Sequence, residues 1–157
     1  MITTEAIETL LYRESDCLDA GDLDAWLELY TEDASYWMPV EPDQPDALNH
    51  ISLIYDDHVM MEIRRRNFVH PQAASKDHPV RCSHLIGNVR RDGETPRGDL
   101  IVRSNFHALV FYRNEQRSYG GRYEHHLALL GDGLRIRHKK VTLINCDAPQ
   151  RSLTIYL

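Results

Sequence analysis

Two stretches of this sequence carry residue types at spacings that bind iron elsewhere. Cys82-Ser-His84 places a thiol and an imidazole two positions apart, which is the C-x-H half of a Rieske cluster site, where thiolates hold one iron and imidazoles the other. The other half would be a C-x-x-H farther along. The only downstream cysteine lies in Cys146-Asp-Ala-Pro149, with no histidine near it, so no cluster is expected in this chain.

Glu124-His125-His126 offers the two imidazoles and one carboxylate of a non-haem iron site. The stretch around it has strand character, and neighbours on a strand point to opposite faces, so His125 and His126 cannot both reach one ion. Structural or surface roles are expected for this pair, and no metal ligand is assigned in the chain.

The bulk numbers set the frame for these residues. The chain has 157 residues with 18 Lys+Arg against 24 Asp+Glu, a formal charge of −6, and it fits one domain over 1–157 with a single core. That charge repels phosphate backbones and anionic lipid surfaces, so nucleic acid and membrane are poor partners. The first residues carry acids and no basic segment leading into an apolar stretch, and no run approaches the roughly 20 apolar residues of a membrane span. A cytoplasmic location is expected. Cys17, Cys82 and Cys146 are odd in number and widely spaced, which suits reduced, largely interior thiols.

The spacing of apolar residues sets the elements that must position these groups. Ile7, Leu10, Leu11 and Leu18 fall near helical spacing, with Thr3 or Thr4 as N-cap and Gly21 as a stop, predicting a helix over 4–20. Asp22 caps a second helix whose Leu23, Trp26, Leu27 and Tyr30 recur at i, i+3, i+4 and i+7. The short aromatic stretch Ser35–Met38 ends at three prolines between Pro39 and Pro45, read as an exposed loop. Ile54, Val59 or Met60, and Ile63 predict a third helix over 51–67, supported by a Glu62–Arg66 pair, and 70–80 reads as another loop. Beyond Arg81 the period is two: strands over 83–91, 100–112, 119–130 and 134–145, the last two joined by the hairpin signal Gly131-Asp-Gly133. Four such strands make an antiparallel meander that must curve to bury one face, with the three helices covering its concave side. The fold class is α+β, closed like a cone.

That order of elements resembles the nuclear transport factor 2-like fold, shared by ketosteroid isomerase-like enzymes, scytalone dehydratase-like enzymes and dioxygenase beta subunits, so fold alone leaves function open. Six strings narrow it: Leu11-Tyr-Arg-Glu14; Trp26-Leu-Glu-Leu-Tyr-Thr-Glu-Asp33 followed by Tyr36-Trp-Met-Pro39; Ile51-Ser-Leu-Ile-Tyr-Asp-Asp57; Arg81-Cys-Ser-His-Leu-Ile-Gly-Asn-Val89; Val102-Arg-Ser-Asn-Phe106; and Ser152-Leu-Thr-Ile-Tyr-Leu157. In order and spacing they are similar to the beta subunits of Rieske-type aromatic ring-hydroxylating dioxygenases, with the opening strings closer to those serving benzoate-like substrates.

The resemblance implies a structural subunit of a terminal oxygenase that uses NADH-derived electrons and O₂ to cis-dihydroxylate an aromatic ring in aromatic catabolism. It places the Rieske [2Fe-2S] cluster and the mononuclear non-haem Fe(II) in a large alpha subunit. It implies a beta trimer within an alpha3beta3 hexamer, reached only indirectly by the reductase and ferredoxin. Aromatic and arginine residues suit such interfaces, which nominates Trp37, Arg64, Arg65, Arg66, Tyr112, Tyr119, Arg122 and Tyr156.

The fold also implies a rival, a stand-alone isomerase or lyase working in the cone. Its general base would be Asp33 with His84 or His107, and Tyr30, Tyr55, Asn105, Tyr123 and His125 are further members. Asp33 lies in a helix-ending turn where carboxylates commonly accept backbone N–H bonds, and a buried histidine is often simply satisfied, which favours the scaffold reading.

Overall fold

The computed structural model describes residues 1–69, 80–151, 153 and 155–157. Helix α1, Thr4–Ala20, starts where the Thr3 hydroxyl accepts the Ala6 N–H at 3.1 Å and ends at Gly21, whose φ of 68° lets its N–H close the last turn. It buries Ile7, Leu10, Leu11 and Leu18 as the periodicity requires, and Glu14 with them. Helix α2, Leu23–Glu28, is capped by Asp22 and buries Trp26 and Leu27.

Tyr30 does not continue α2. It opens a ten-residue strand, β1 (Tyr30–Pro39), which absorbs the aromatic stretch and ends at the first proline of the loop. The loop itself is not wholly exposed: Gln44 is buried and its side chain binds Val40 N–H, Asp46 O and Ser52 Oγ.

The predicted third helix divides. Its first part is strand β2 (Ser52–Asp57), antiparallel to β1, and only His58–Val69 forms helix α3. Alternation had been hidden there because β2 is an edge strand with little of it buried. The predicted stripe also faces the other way: Val59, Met60 and Ile63 are exposed while Met61 is completely buried. Glu62 pairs with Arg65, one position nearer than the predicted Arg66. Residues 70–79, read from sequence as part of a loop, lie outside the described residues.

The four-strand meander is present as β3 (Arg81–Glu94), β4 (Leu100–Tyr112), β5 (Glu115–Leu130) and β6 (Gly133–Leu143). The hairpin expected at Gly131-Asp-Gly133 forms, with Leu130 pairing directly with Gly133, so that the turn is two residues and Gly133 joins β6. The β4–β5 turn uses Arg113 and Asn114, both at positive φ, the backbone of a two-residue primed turn built without glycine.

The six strands run in the order β2-β1-β6-β5-β4-β3, antiparallel except for β1 on β6, which is parallel. The sheet is thus longer by two strands than the meander, and α3 enters after two of them. Breaks in register after Gly87 on β3 and after His126 on β5 curve it. α1 packs against β3, and α3 against β1 and β2. The concave face carries Val102, Phe106, Tyr123, Leu127, Ile136 and Val141 into one core with Trp26 and Leu11.

Candidate functional site

The interior of the cone is built around a charge. Glu14 continues the Ile7, Leu10, Leu11 stripe of α1 and is 1% exposed. Trp26 Nε1 donates to its Oε2 at 3.0 Å, and the Tyr30 hydroxyl donates to the same oxygen. His125 Nε2 stands 2.9 Å and Lys139 Nζ 3.1 Å from its Oε1.

Lys139, itself buried, also donates to Leu157 O at 2.8 Å and lies 4.2 Å from the Tyr123 ring centroid. Tyr36 closes the group: its hydroxyl donates to Leu157 O at 2.9 Å and accepts Leu157 N–H at 3.0 Å. Tyr156 stacks on Trp26 with centroids 4.5 Å apart and donates to Asp56 Oδ2 at 2.6 Å, where Arg64 pairs with the same carboxylate.

The electrostatics follow from this packing. Burial acts to raise the Glu14 carboxyl, but the charge of Lys139 and the hydrogen bonds of His125 and Tyr30 outweigh it and hold it far below the usual carboxylate range. Burial lowers His125, keeping it neutral with its proton on Nε2 toward Glu14, and raises the Tyr30, Tyr36 and Tyr123 hydroxyls. A general base at neutral pH needs a pKa near 7 and reach to a substrate proton. Glu14 has neither, since four side chains of its own chain occupy its oxygens. The cluster is a hub that ties α1, α2, β1, β5 and β6 together.

The residues of the predicted proton-transfer site divide: Tyr30 and His125 meet at Glu14, with the Tyr123 ring 5.4 Å from that of His125, while the candidate base Asp33 is apart from them. Asp33 is at the surface with Thr31, Arg97 and Arg137, and the Thr31 hydrogen bond leads the set that lowers its carboxyl. His107 is on the outward face of β4, Tyr55 is 42% exposed on β2, and Tyr30 is committed to Glu14.

His84 is held by another acid, Asp19. The Asp19 Oδ1 lies 2.5 Å from His84 Nδ1 and 3.4 Å from Cys82 Sγ, while its Oδ2 accepts the His84 backbone N–H at 3.0 Å. Burial, with Asp19 beside it, pushes the Cys82 thiol up to about 12.

His125 and His126 do face opposite ways. His126 is on the outer face, 2.8 Å from Glu124 and 4.9 Å between ring centroids from His138, whose Nδ1 meets Ser35 Oγ at 2.7 Å. Glu124, His125 and His126 therefore do not fit a mononuclear iron, and Cys82 with His84 and a carboxylate does not fit a Rieske cluster. Farther along the outer face Arg90, Arg103, Arg122 and Lys140 line a polar groove of about 660 Å³.

The interface nominees divide in the same way. Trp37 and Tyr156 are buried within the chain, Trp37 donating to Ser52 Oγ and covered by Lys140. Arg64 is tied to Asp56 and Arg65 to Asp24 and Glu62. Arg66 and Arg122 are exposed, and Tyr112 and Tyr119 half-buried.

Sequence reasoning missed Glu14, Asp19, Asp56 and Lys139. The signal for Glu14 was its place in the α1 stripe, and for Lys139 its alternation with Val141 and Leu143.

Comparison with known proteins adds the family. The ring hydroxylating beta subunit family matches residues 13–150. The benzoate 1,2-dioxygenase subunit beta of Acinetobacter baylyi is 32% identical, covering 99% of this chain and 94% of that one. The 2-halobenzoate 1,2-dioxygenase small subunit of Burkholderia cepacia is 31% identical over 96% and 93%. The crystal structure of the beta subunit of benzoate 1,2-dioxygenase from Burkholderia mallei superimposes with a TM-score of 0.77 at 32% identity, over 96% of each chain.

Proposed function

The chain belongs to the ring hydroxylating beta subunit family, and from that premise we propose that it is the structural small subunit of a terminal oxygenase acting on an aromatic carboxylate of the benzoate type. The observation that carries the scaffold role is the saturation of Glu14: both oxygens of the buried carboxylate are taken up by side chains of this chain, so it offers no base to a substrate.

In this reading the Rieske cluster and mononuclear iron are in the large alpha subunit, where they supply electrons and dioxygen activation. This chain provides a rigid base for that subunit. Three copies form the stalk of an alpha3beta3 hexamer, and the exposed Arg66 and Arg122 belong to its contact surfaces. Reductase and ferredoxin deliver electrons to the alpha subunit and do not touch this one. No described helix is long and apolar enough to cross a membrane, and a cytoplasmic location is proposed.

The test is expression of the chain alone and together with its large subunit. Iron, acid-labile sulfide and, with NADH, O₂ and the reductase chain supplied, ring-dihydroxylating activity toward benzoate are expected only in the complex, in which both chains co-purify. Stoichiometric iron in the isolated chain, or isomerase or lyase turnover by it, overturns the proposal.

A further inference from the structure

The C-x-H pair on β3 is half of one kind of metal site, and the fold completes it as another. Cys82 and His84 are two apart on a strand and so share its concave face, where the end of α1 brings Asp19 against both. Among the described residues these three form a cluster whose donor atoms all lie within 4.8 Å of one another. We infer that Asp19, Cys82 and His84 form a binding site for one borderline divalent cation of the zinc class, at the junction of α1 and β3.

The donor set fits that class. One thiolate, one imidazole and one carboxylate with water in the fourth position suit zinc or cobalt, whereas magnesium and calcium take oxygen donors. The Sγ to Oδ1 separation of 3.4 Å is already near that between ligands of a tetrahedral zinc ion. The Oδ1 to Nδ1 separation of 2.5 Å is a hydrogen bond and must open by roughly 0.8 Å to admit the ion. Asp19 has 27% of its side chain exposed, so the carboxylate has room to turn and the ion a way in.

A second feature favours a cation at this place. α1 is 17 residues long and has no basic residue in its last turn. The negative end of its dipole is therefore uncompensated by the helix itself, and Leu18 O lies 3.4 Å from Cys82 Sγ. Binding would release the Cys82 thiol proton to solvent and move the imidazole proton of His84 from Nδ1 to Nε2, leaving Nδ1 to the metal. Zinc is redox-silent, so the site would lock α1 onto β3 and leave the iron chemistry of the proposed function where it is.

Cobalt(II) is the probe. The apo chain, prepared with chelator, is expected to take up one equivalent with thiolate-to-cobalt absorption, and zinc should displace it. Zinc should also shield Cys82, but not Cys17, from alkylation. Cys82→Ser keeps the Asp19–His84 contact; it should abolish the absorption and weaken zinc binding by more than the about 10–100-fold typical of losing an outer-shell partner, with circular dichroism unchanged. Should that variant not fold, alkylation of the unaltered chain and of His84→Gln decides instead. Cobalt uptake without thiolate absorption, absorption that persists in Cys82→Ser, or alkylation of Cys82 indifferent to zinc would overturn the inference. None of these outcomes alters the expectation for iron in the complex.

Discussion

Glu14 of α1 and Lys139 of β6 form an ion pair 3.1 Å long with each side chain only 1% exposed. Removing one partner strands the other charge in the core, which typically costs about 3–5 kcal/mol. Lys139→Met is expected to fall in that range in urea unfolding, with Trp26, Tyr30 and His125 still holding a carboxylate that has lost its cation.

Stability should fall as the solution is acidified, in two stages. Burial, then His126, pushes His138 down to about 4 in the folded chain, against about 6.5 unfolded. Between those values the unfolded state binds the proton and the folded state does not, so up to about 3 kcal/mol of stability is lost as pH falls from 6.5 to 4. The depressed Glu14 carboxyl adds a further loss below about 4.3, where the unfolded carboxylate protonates first. In His138→Gln the upper stage should shrink by the His138 share, while the part due to His84 and His125, which burial also lowers, and the lower stage remain, as read from denaturation midpoints across pH.

Tyr156 separates hydrogen bonding from packing. Tyr156→Phe keeps the stack on Trp26 and removes the donor to the Asp56 carboxylate, for an expected loss of about 1.5–3 kcal/mol. Tyr156→Ala removes both and should cost about 3–5 kcal/mol. Thermal melts of the two variants give the comparison.

At Gly121 a Cβ would sit 2.0 Å from Thr142 O and 2.9 Å from Leu143 Cα, both backbone. A flexible side chain could yield there, but a paired strand cannot. Gly121→Ala should cost at least the about 1–3 kcal/mol of ordinary overpacking, and amide exchange should show β5 and β6 opening together.

Asp33→Asn tests the enzyme that the cone could have been. With Asp33 half exposed among Arg97 and Arg137, turnover of the assembled oxygenase is expected to stay within about twofold of the unaltered complex, the scale of a surface change of about ±0.5 kcal/mol. A large loss of turnover in a complex that still assembles would contradict the scaffold role.

Local rules made much of this fold legible. The caps at Thr3 and Asp22, the stop at Gly21 and the period-two alternation of β4, β5 and β6 act within a few residues of where they are read. What escaped was decided at a distance. Ser52–Asp57 is a strand because β1 lies beside it, and Tyr30 leaves the helix because Leu29 O accepts the Ile136 N–H at 2.8 Å. The polar centre was harder still: a glutamate in an apolar stripe looks like an interruption until the lysine and histidine that satisfy it arrive from the far end of the sequence.

The parallel pairing of β1 with β6 also sets a timetable for folding. β3 to β6 can assemble through successive hairpins, each closing a short loop, but Tyr30 finds its register beside Ile136 only once β6 is in place. Closing so long a segment costs entropy before any contact repays it, which makes this the slow step. The Glu14–Lys139 pair forms in the same event. Until β1 is seated, the apolar concave face of the four-stranded meander stands partly open to whatever chain is being made beside it.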